Sequence, residues 1–299
     1  MLQIRPGMCH NAWHLRQGAC EPRPAGDSMS FLERLNAASA RNHSLLCIGL
    51  DPDPARLPAP ARAAADPVYA FCMAIVDATA DLACAFKPNS AFFEALGPTG
   101  VATLRRLIAD MPRDVPVILD AKRGDIGSTA AAYARAAFDV LGADAVTASP
   151  YLGGDALAPL LAYANRGIFV LCKTSNPGAA DVQDLALADG RPVYLEVARR
   201  ARDDWNTAGN IGLVVGATYP RELAAVRALC PELPLLVPGV GAQGGELGAA
   251  VAAAARGPVL INASRSILYA SAEADFAGAA RREASRLRDA INAARDGKL

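Results

Sequence analysis

The sequence predicts a single-domain α/β protein, a (β/α)8 TIM barrel, on three observations. Eight short apolar runs recur along the chain, each is followed by an Ala-, Leu- and Arg-rich stretch long enough for a crossover helix, and polar residues gather just after the runs. Parallel strands buried on both faces read as nearly continuous hydrophobic segments, and eight βα units in one domain close into a barrel. The 299 residues, 52% hydrophobic and 20% charged, supply enough apolar surface for one such core and exclude a small disulfide scaffold. A doubly wound open sheet is the structural alternative. It would usually carry a Gly-rich dinucleotide turn after its first strand, where this chain reads GLDPDP (49–54).

Residues 1–28 mix Pro, Gly, Arg and Cys with neither strand nor helix period, and are expected to form a disordered N-terminal extension. Met29 is the expected natural start, and 29–299 the barrel domain. SFLERLNAASARN (30–42) reads as a capped amphipathic helix. The expected strands are LLCIGL (45–50), ACAFK (83–87), VPVILD (115–120), DAVTAS (144–149), GIFVLC (167–172), IGLVVG (211–216), PLLVPG (234–239) and PVLINA (258–263). In such a barrel the active site lies at the C-terminal strand ends. The residues there are Asp51, Lys87, the Asp120/Lys122/Asp125 group, SPY (149–151), KTSN (173–176), Thr218, GVGAQGG (239–245) and NASRS (262–266).

Scarce residue types narrow the chemistry. Thirty basic side chains balance thirty acidic ones, so no global field recruits nucleic acid or an anionic membrane. No apolar run is long enough for a membrane span and no secretory signal is evident, which gives the expectation of a cytoplasmic protein. Cys9, Cys20, Cys47, Cys72, Cys84, Cys172 and Cys230 form no C-x-x-C pair and fall mostly in apolar runs, as buried reduced thiols do. The only histidines, His10, His14 and His43, precede the first strand, so proton chemistry falls to Lys, Asp, Glu or Tyr. Only four of the basic residues are lysine, Lys87, Lys122, Lys173 and Lys298, and the first three lie at or just after strands. An ammonium can lose a proton where a guanidinium cannot.

The sharpest motif is LDAKRGDIGST (119–129), with Asp120, Lys122 and Asp125 spaced D-x-K-x-x-D. If the strand continues, Asp120 and Lys122 project to one side, while Gly124 and Gly127 allow a turn that swings Asp125 away. Lys87 ends the neighbouring strand and can reach the same place. Two lysines alternating with two carboxylates would hold one another ionised, and a protonated lysine is a general acid rather than an imine-forming nucleophile. VPGVGAQGG (237–245) and NASRS (262–266) follow strands seven and eight, where barrels commonly bind phosphate, and Gln243 and Arg265 can add donors. The connection TSNPGAADVQDLALADG (174–190) has the length and composition of a lid, with Ser175 and Asn176 at its root.

Taken together, GLDPDP, AFKPNSAFFE, DAKRGDIGSTA, SPYLGGDAL, CKTSNPGA, VPGVGAQGG and SRSI occur in the order that resembles the orotidine 5′-monophosphate decarboxylase family, from Met29 to about residue 285. The branch it resembles is the type 2 branch, with the DAKRGDIGSTA core. That resemblance implies conversion of orotidine 5′-monophosphate to uridine 5′-monophosphate and CO2, the last step of de novo UMP synthesis, with no metal and no organic cofactor. It implies Lys122 as proton donor, Asp120 beside the substrate carboxylate, and Lys87 tying the carboxylates to a ribose hydroxyl. It further implies Asp51 on the ribose, Ser175 on the pyrimidine, Pro238 lining the substrate site, and Gln243 and Arg265 on the phosphate. Asp125, Ile126 and Thr129 would reach a partner's site in a homodimer. The chain departs from the family in reading NAS before Arg265 where a Gly-rich turn is usual.

Three other readings share these residues. Metal-dependent sugar-phosphate decarboxylases and hexulose-phosphate synthases carry the same D-x-K-x-x-D. A class I aldolase would use Lys87 or Lys173 as an imine. A non-catalytic nucleotide-binding barrel would need neither.

Overall fold

The computed structural model describes residues 29–239 and 244–298, so the expectations for residues 1–28 and for Gln243 fall outside the described residues. Eight parallel strands alternate with helices: β1 (Leu46–Leu50), β2 (Ala85–Pro88), β3 (Ile118–Arg123), β4 (Ala145–Ala148), β5 (Gly167–Lys173), β6 (Ile211–Val215), β7 (Leu235–Pro238) and β8 (Val259–Ala263). They hydrogen-bond in the order β2-β1-β8-β7-β6-β5-β4-β3. Parallel bridges Phe86–Val117 and Asn89–Asp120 join the two ends, β2 and β3, and bring the sheet round into a ring. Each strand falls on its expected run. The largest departure is β3, which continues to Arg123 and carries the lysine of the motif inside the strand.

Side-chain alternation divides the core in two. Leu46, Ile48 and Leu50 of β1 face the surrounding helices, while Cys47 faces the barrel interior with Cys84, Ala85, Ile118, Ala145, Phe169, Val214, Leu236 and Leu260. The same parity sends Gly49 and Asp51, and Lys87 after Ala85, towards the interior above that layer. The five described cysteines are buried free thiols. Among the described residues no helix is long and apolar enough to cross a membrane.

The helix Phe31–Asn42 closes the N-terminal mouth. Ser30 Oγ accepts from the Glu33 N–H at 3.3 Å and the Ser30 N–H donates to Glu33 Oε2 at 2.7 Å, a reciprocal cap that starts the helix. Phe31 then plugs the barrel, its ring 5.7 Å from that of Phe169 and nearly perpendicular to it. Gly167 is required beneath: a Cβ there would lie 2.4 Å from the Phe31 ring. Among the described residues, that helix covers the barrel end opposite the strand C-termini.

Candidate active site

Lys87, Asp120 and Lys122 meet at the open mouth. The buried Lys87 Nζ donates to Asp120 Oδ2 at 2.7 Å, and Lys122 Nζ donates to Asp120 Oδ1 at 2.6 Å. Thr147 of β4 completes the carboxylate's shell, its Oγ1 donating to Asp120 Oδ1 at 2.9 Å. Burial by itself would raise the Asp120 pKa, but the two ammonium groups outweigh it and hold the carboxyl at about 2. Burial likewise works against charge on Lys87, yet Asp120 and Asp51 together raise its pKa, so the ammonium stays protonated. One Asp51 oxygen, Oδ1, is buried without a hydrogen-bond partner among the described residues.

The route by which Lys122 arrives differs from simple alternation. Pairing between β3 and β4 shifts register between Leu119 and Arg123, and Lys122 adopts φ +47, in the left-handed region. Its N–H is turned to Thr147 Oγ1 at 2.9 Å. A left-handed conformation costs a non-glycine residue about 1–2 kcal/mol, and such strain persists where surrounding contacts over-determine it, commonly at functional sites. The bulge curls the lysine back over its own strand's carboxylate, leaving its side chain 49% exposed at the mouth. Asp120 and Lys122 therefore meet through a break in the pleat.

Within one chain the alternation of two lysines with two carboxylates is incomplete. A single carboxylate, Asp120, sits between the lysines. Asp125 Oδ1 instead accepts from the Ile126 N–H at 2.8 Å. Ile126 and Thr129 are exposed, Ile126 by 60%. The glycine-flanked turn carries this segment out of the chain's own cluster.

Opposite the lysines, Ser175 stands at the root of the long connection after β5. A Cβ on Gly216 would come within 2.9 Å of Ser175 Cβ, and one on Gly239 within 3.9 Å of its hydroxyl, so Ser175 overlies the ends of β6 and β7 beside Pro238. Arg265 opens the short helix Arg265–Leu268 after β8 and is exposed. Where a glycine was expected before it, Ser264 Oγ occupies the space over Gly49: a Cβ on Gly49 would lie 1.8 Å from that oxygen. The departure at position 264 is thus matched by a glycine on the adjacent strand.

Lys173 is not part of this cluster. A second register shift, between Leu171 and Lys173, redirects it. Its buried Nζ donates to Asp184 Oδ1 at 2.6 Å and lies 4.9 Å from the centre of the Tyr219 ring. The Thr174 N–H donates to Gln183 Oε1 at 2.8 Å, and Gln183 Nε2 returns a bond to Thr174 Oγ1 at 2.8 Å. The connection is therefore pinned at its root. Lys173→Met should fold but open residues 176–192 to proteolysis, because Asp184, 43% exposed, can rehydrate. Asp184→Ala strands a buried ammonium and should cost more, roughly 1–3 kcal/mol. Melting temperatures in the reverse order would contradict the anchor.

The Asp120 environment has a thermodynamic consequence. A carboxyl whose pKa is lower folded than unfolded stabilises the protein above its unfolded value and loses that stabilisation as pH falls towards the folded one. Unfolding free energy should drop by about 2 kcal/mol on this account between about pH 4 and pH 2. Urea titrations at stepped pH measure it, and Asp120→Asn should lack that portion of the slope.

Sequence reasoning did not single out Thr147, Asn262 or Tyr269. Thr147 is signalled in retrospect by the alternation Ala145, Thr147 in an otherwise apolar strand. Asn262 stood within NASRS without a role; it is buried at the end of β8, and its Oδ1 has no hydrogen-bond partner among the described residues. Tyr269 touches residues more than 200 positions away and has no local signal.

Strand ends converging on a hydrogen-bonded Lys–Asp–Lys cluster mark the class, a (β/α)8-barrel enzyme. The chain belongs to the orotidine 5′-phosphate decarboxylase/HUMPS family, whose model matches residues 44–280. It is 62% identical over 269 residues to orotidine 5′-phosphate decarboxylase of Roseiflexus sp. (strain RS-1), covering 89% of this chain and 98% of that protein. The corresponding protein of Paracidovorax citrulli (strain AAC00-1) is 58% identical over 275 residues, covering 89% and 100%. The structure of Leishmania donovani OMP decarboxylase superposes with a TM-score of 0.78 at 45% identity, covering 90% of this chain and 99% of that one.

Proposed function

We propose that this chain converts orotidine 5′-monophosphate to uridine 5′-monophosphate and CO2, the last step of de novo UMP synthesis. The observation that carries the reading is the Lys122 ammonium, held 2.6 Å from Asp120 at the open mouth while the buried Lys87 neutralises the same carboxylate from the other side. The bond from carbon 6 to the carboxylate breaks, its electron pair stays on carbon 6, and CO2 departs neutral. A proton from Lys122 Nζ then forms the new C–H bond, and solvent reprotonates the amine. The pyrimidine ring offers no conventional electron sink, so a fixed cation in a site shielded from water must stabilise the localised charge. Asp120 beside the substrate carboxylate adds repulsion that is relieved as CO2 leaves.

In this reading Asp51 and Lys87 hold ribose hydroxyls, Ser175 reads the pyrimidine, Pro238 lines the site, and Gln243 and Arg265 bind the phosphate. Phosphate contacts remote from carbon 6 raise the rate as well as the affinity when they drive closure of the 174–190 connection. The chemistry needs no metal or organic cofactor. A fall in orotidylate absorbance on adding the protein with excess chelator tests this directly. Loss of turnover on chelation would point to the metal-dependent members, and binding of uridine 5′-monophosphate without turnover to a binding barrel. Lys87 and Lys173 are both paired with carboxylates, so borohydride with a carbonyl substrate should trap no imine adduct.

The reading includes a cytoplasmic homodimer with shared sites. Ile126 is 60% exposed on the loop after β3, and Tyr151, 81% exposed, and Leu152, 47%, lie on the loop after β4. Those loops touch, since a Cβ on Gly124 would be 3.1 Å from Ser149 Cβ. Apolar side chains this exposed on adjoining loops support a covering partner, into whose site Asp125, Ile126 and Thr129 extend.

A further inference from the structure

We infer that Tyr269 is a positioning residue that couples the phosphate arm to the sugar-binding carboxylate. The inference rests on the proposed assignment of Arg265 to phosphate and Asp51 to ribose. Tyr269 follows the helix Arg265–Leu268 directly, and its N–H donates to the Arg265 carbonyl at 3.1 Å. Its hydroxyl crosses to the loop after β1, accepting from the Asp53 N–H at 2.6 Å and donating to the Asp51 carbonyl at 3.2 Å. One phenol oxygen thus spans the backbone on both sides of Pro52. Burial raises the phenol's pKa, keeping the proton that the bond to Asp51 requires.

Both ends of this bridge are rigid. The Tyr269 ring stacks on buried Phe71 at 5.7 Å between centroids, with an interplanar angle of 20°, and the Arg56 guanidinium carbon lies 3.8 Å over the ring centre. On the far side, Asp53 Oδ1 accepts from the Ala55 N–H at 3.0 Å and caps the turn Pro54–Arg56. Residues 51–56 are therefore tied to the tyrosine through two backbone hydrogen bonds and the Arg56 contact. The Asp51 side chain takes its direction from that backbone, so whatever draws Arg265 towards a phosphate also orders the carboxylate that meets the ribose. Coupling of this kind shows as non-additivity between the two sites.

A double-mutant cycle tests it. Tyr269→Phe removes one oxygen and keeps the ring on Phe71 and beneath Arg56, so folding should be retained, as a thermal melt would verify. Dissociation constants for uridine 5′-monophosphate and kcat/KM for orotidylate are measured in native protein, Tyr269→Phe, Arg265→Ala and the double variant. In the native background Tyr269→Phe should weaken product binding and lower kcat/KM about 5- to 30-fold. In the Arg265→Ala background the same change should cost less than about threefold. Equal losses in both backgrounds, or no loss in either, would overturn the coupling while leaving the phosphate assignment intact. If Arg265→Ala alone leaves affinity unchanged, it is the phosphate assignment that fails, and the inference with it.

Discussion

Lys122→Ala is expected to lower turnover of orotidylate by about 10⁴-fold or more, the combined size of losing a general acid and a fixed charge at the reacting carbon. The structure says why this loss should appear in the rate rather than in folding. The lysine side chain is half exposed, so its truncation leaves no sealed cavity, and Asp120 keeps both Lys87 and Thr147. The left-handed backbone at position 122 carries some strain in either variant, because alanine also bears a Cβ. The melting temperature should therefore move little. Affinity for uridine 5′-monophosphate should change less than about tenfold, since the ammonium's task arises at carbon 6 only as the carboxylate leaves. Single-turnover absorbance and calorimetric product binding measure the two quantities. Turnover within tenfold of native would refute the role given to Lys122.

Mixing two inactive variants should restore activity. In a hybrid dimer of Lys122→Ala and Asp125→Ala subunits, one site receives both lesions and the other neither, so random exchange returns about a quarter of native specific activity. The prediction follows from where the glycine-flanked turn places Asp125, whose carboxylate accepts from its neighbour's N–H and stands outside its own chain's lysine cluster. Subunit exchange is followed by mass spectrometry of the mixture. Demonstrated exchange with no recovered activity would defeat the shared site, whereas activity in Asp125→Ala alone would show that this carboxylate is not needed.

Much of this molecule can be read from its residues. The eight apolar runs mark the strands because a parallel strand with helices outside and a packed barrel inside needs apolar side chains on both faces. The site is legible for a related reason. Once the fold is a barrel, polar residues at strand ends share one rim, so Asp51, Lys87, Asp120 and Lys122 are brought together by topology. Asp120 and Lys122 meet through a β-bulge rather than through the alternation the motif spacing predicts, because a bulge cannot be seen in a stretch that keeps strand-like composition. Lys173 shows the same limit with a larger consequence: one register shift takes it from the expected rim to a carboxylate on the connection that it anchors.

Architecture, strand positions and the rim on which the chemistry stands are legible in the residues alone, because burial pattern and chain order are local, additive signals. Packing in three dimensions settles that Lys87 and Lys122 both meet Asp120, that Lys173 pins a loop, and that a tyrosine ties residues 51–53 to the helix beginning at Arg265. Those outcomes depend on bulges, on the space a missing Cβ leaves at Gly49, and on hydrogen bonds between residues more than 200 positions apart. Contacts of that kind are fixed by the joint packing of several strands, and no single segment encodes them.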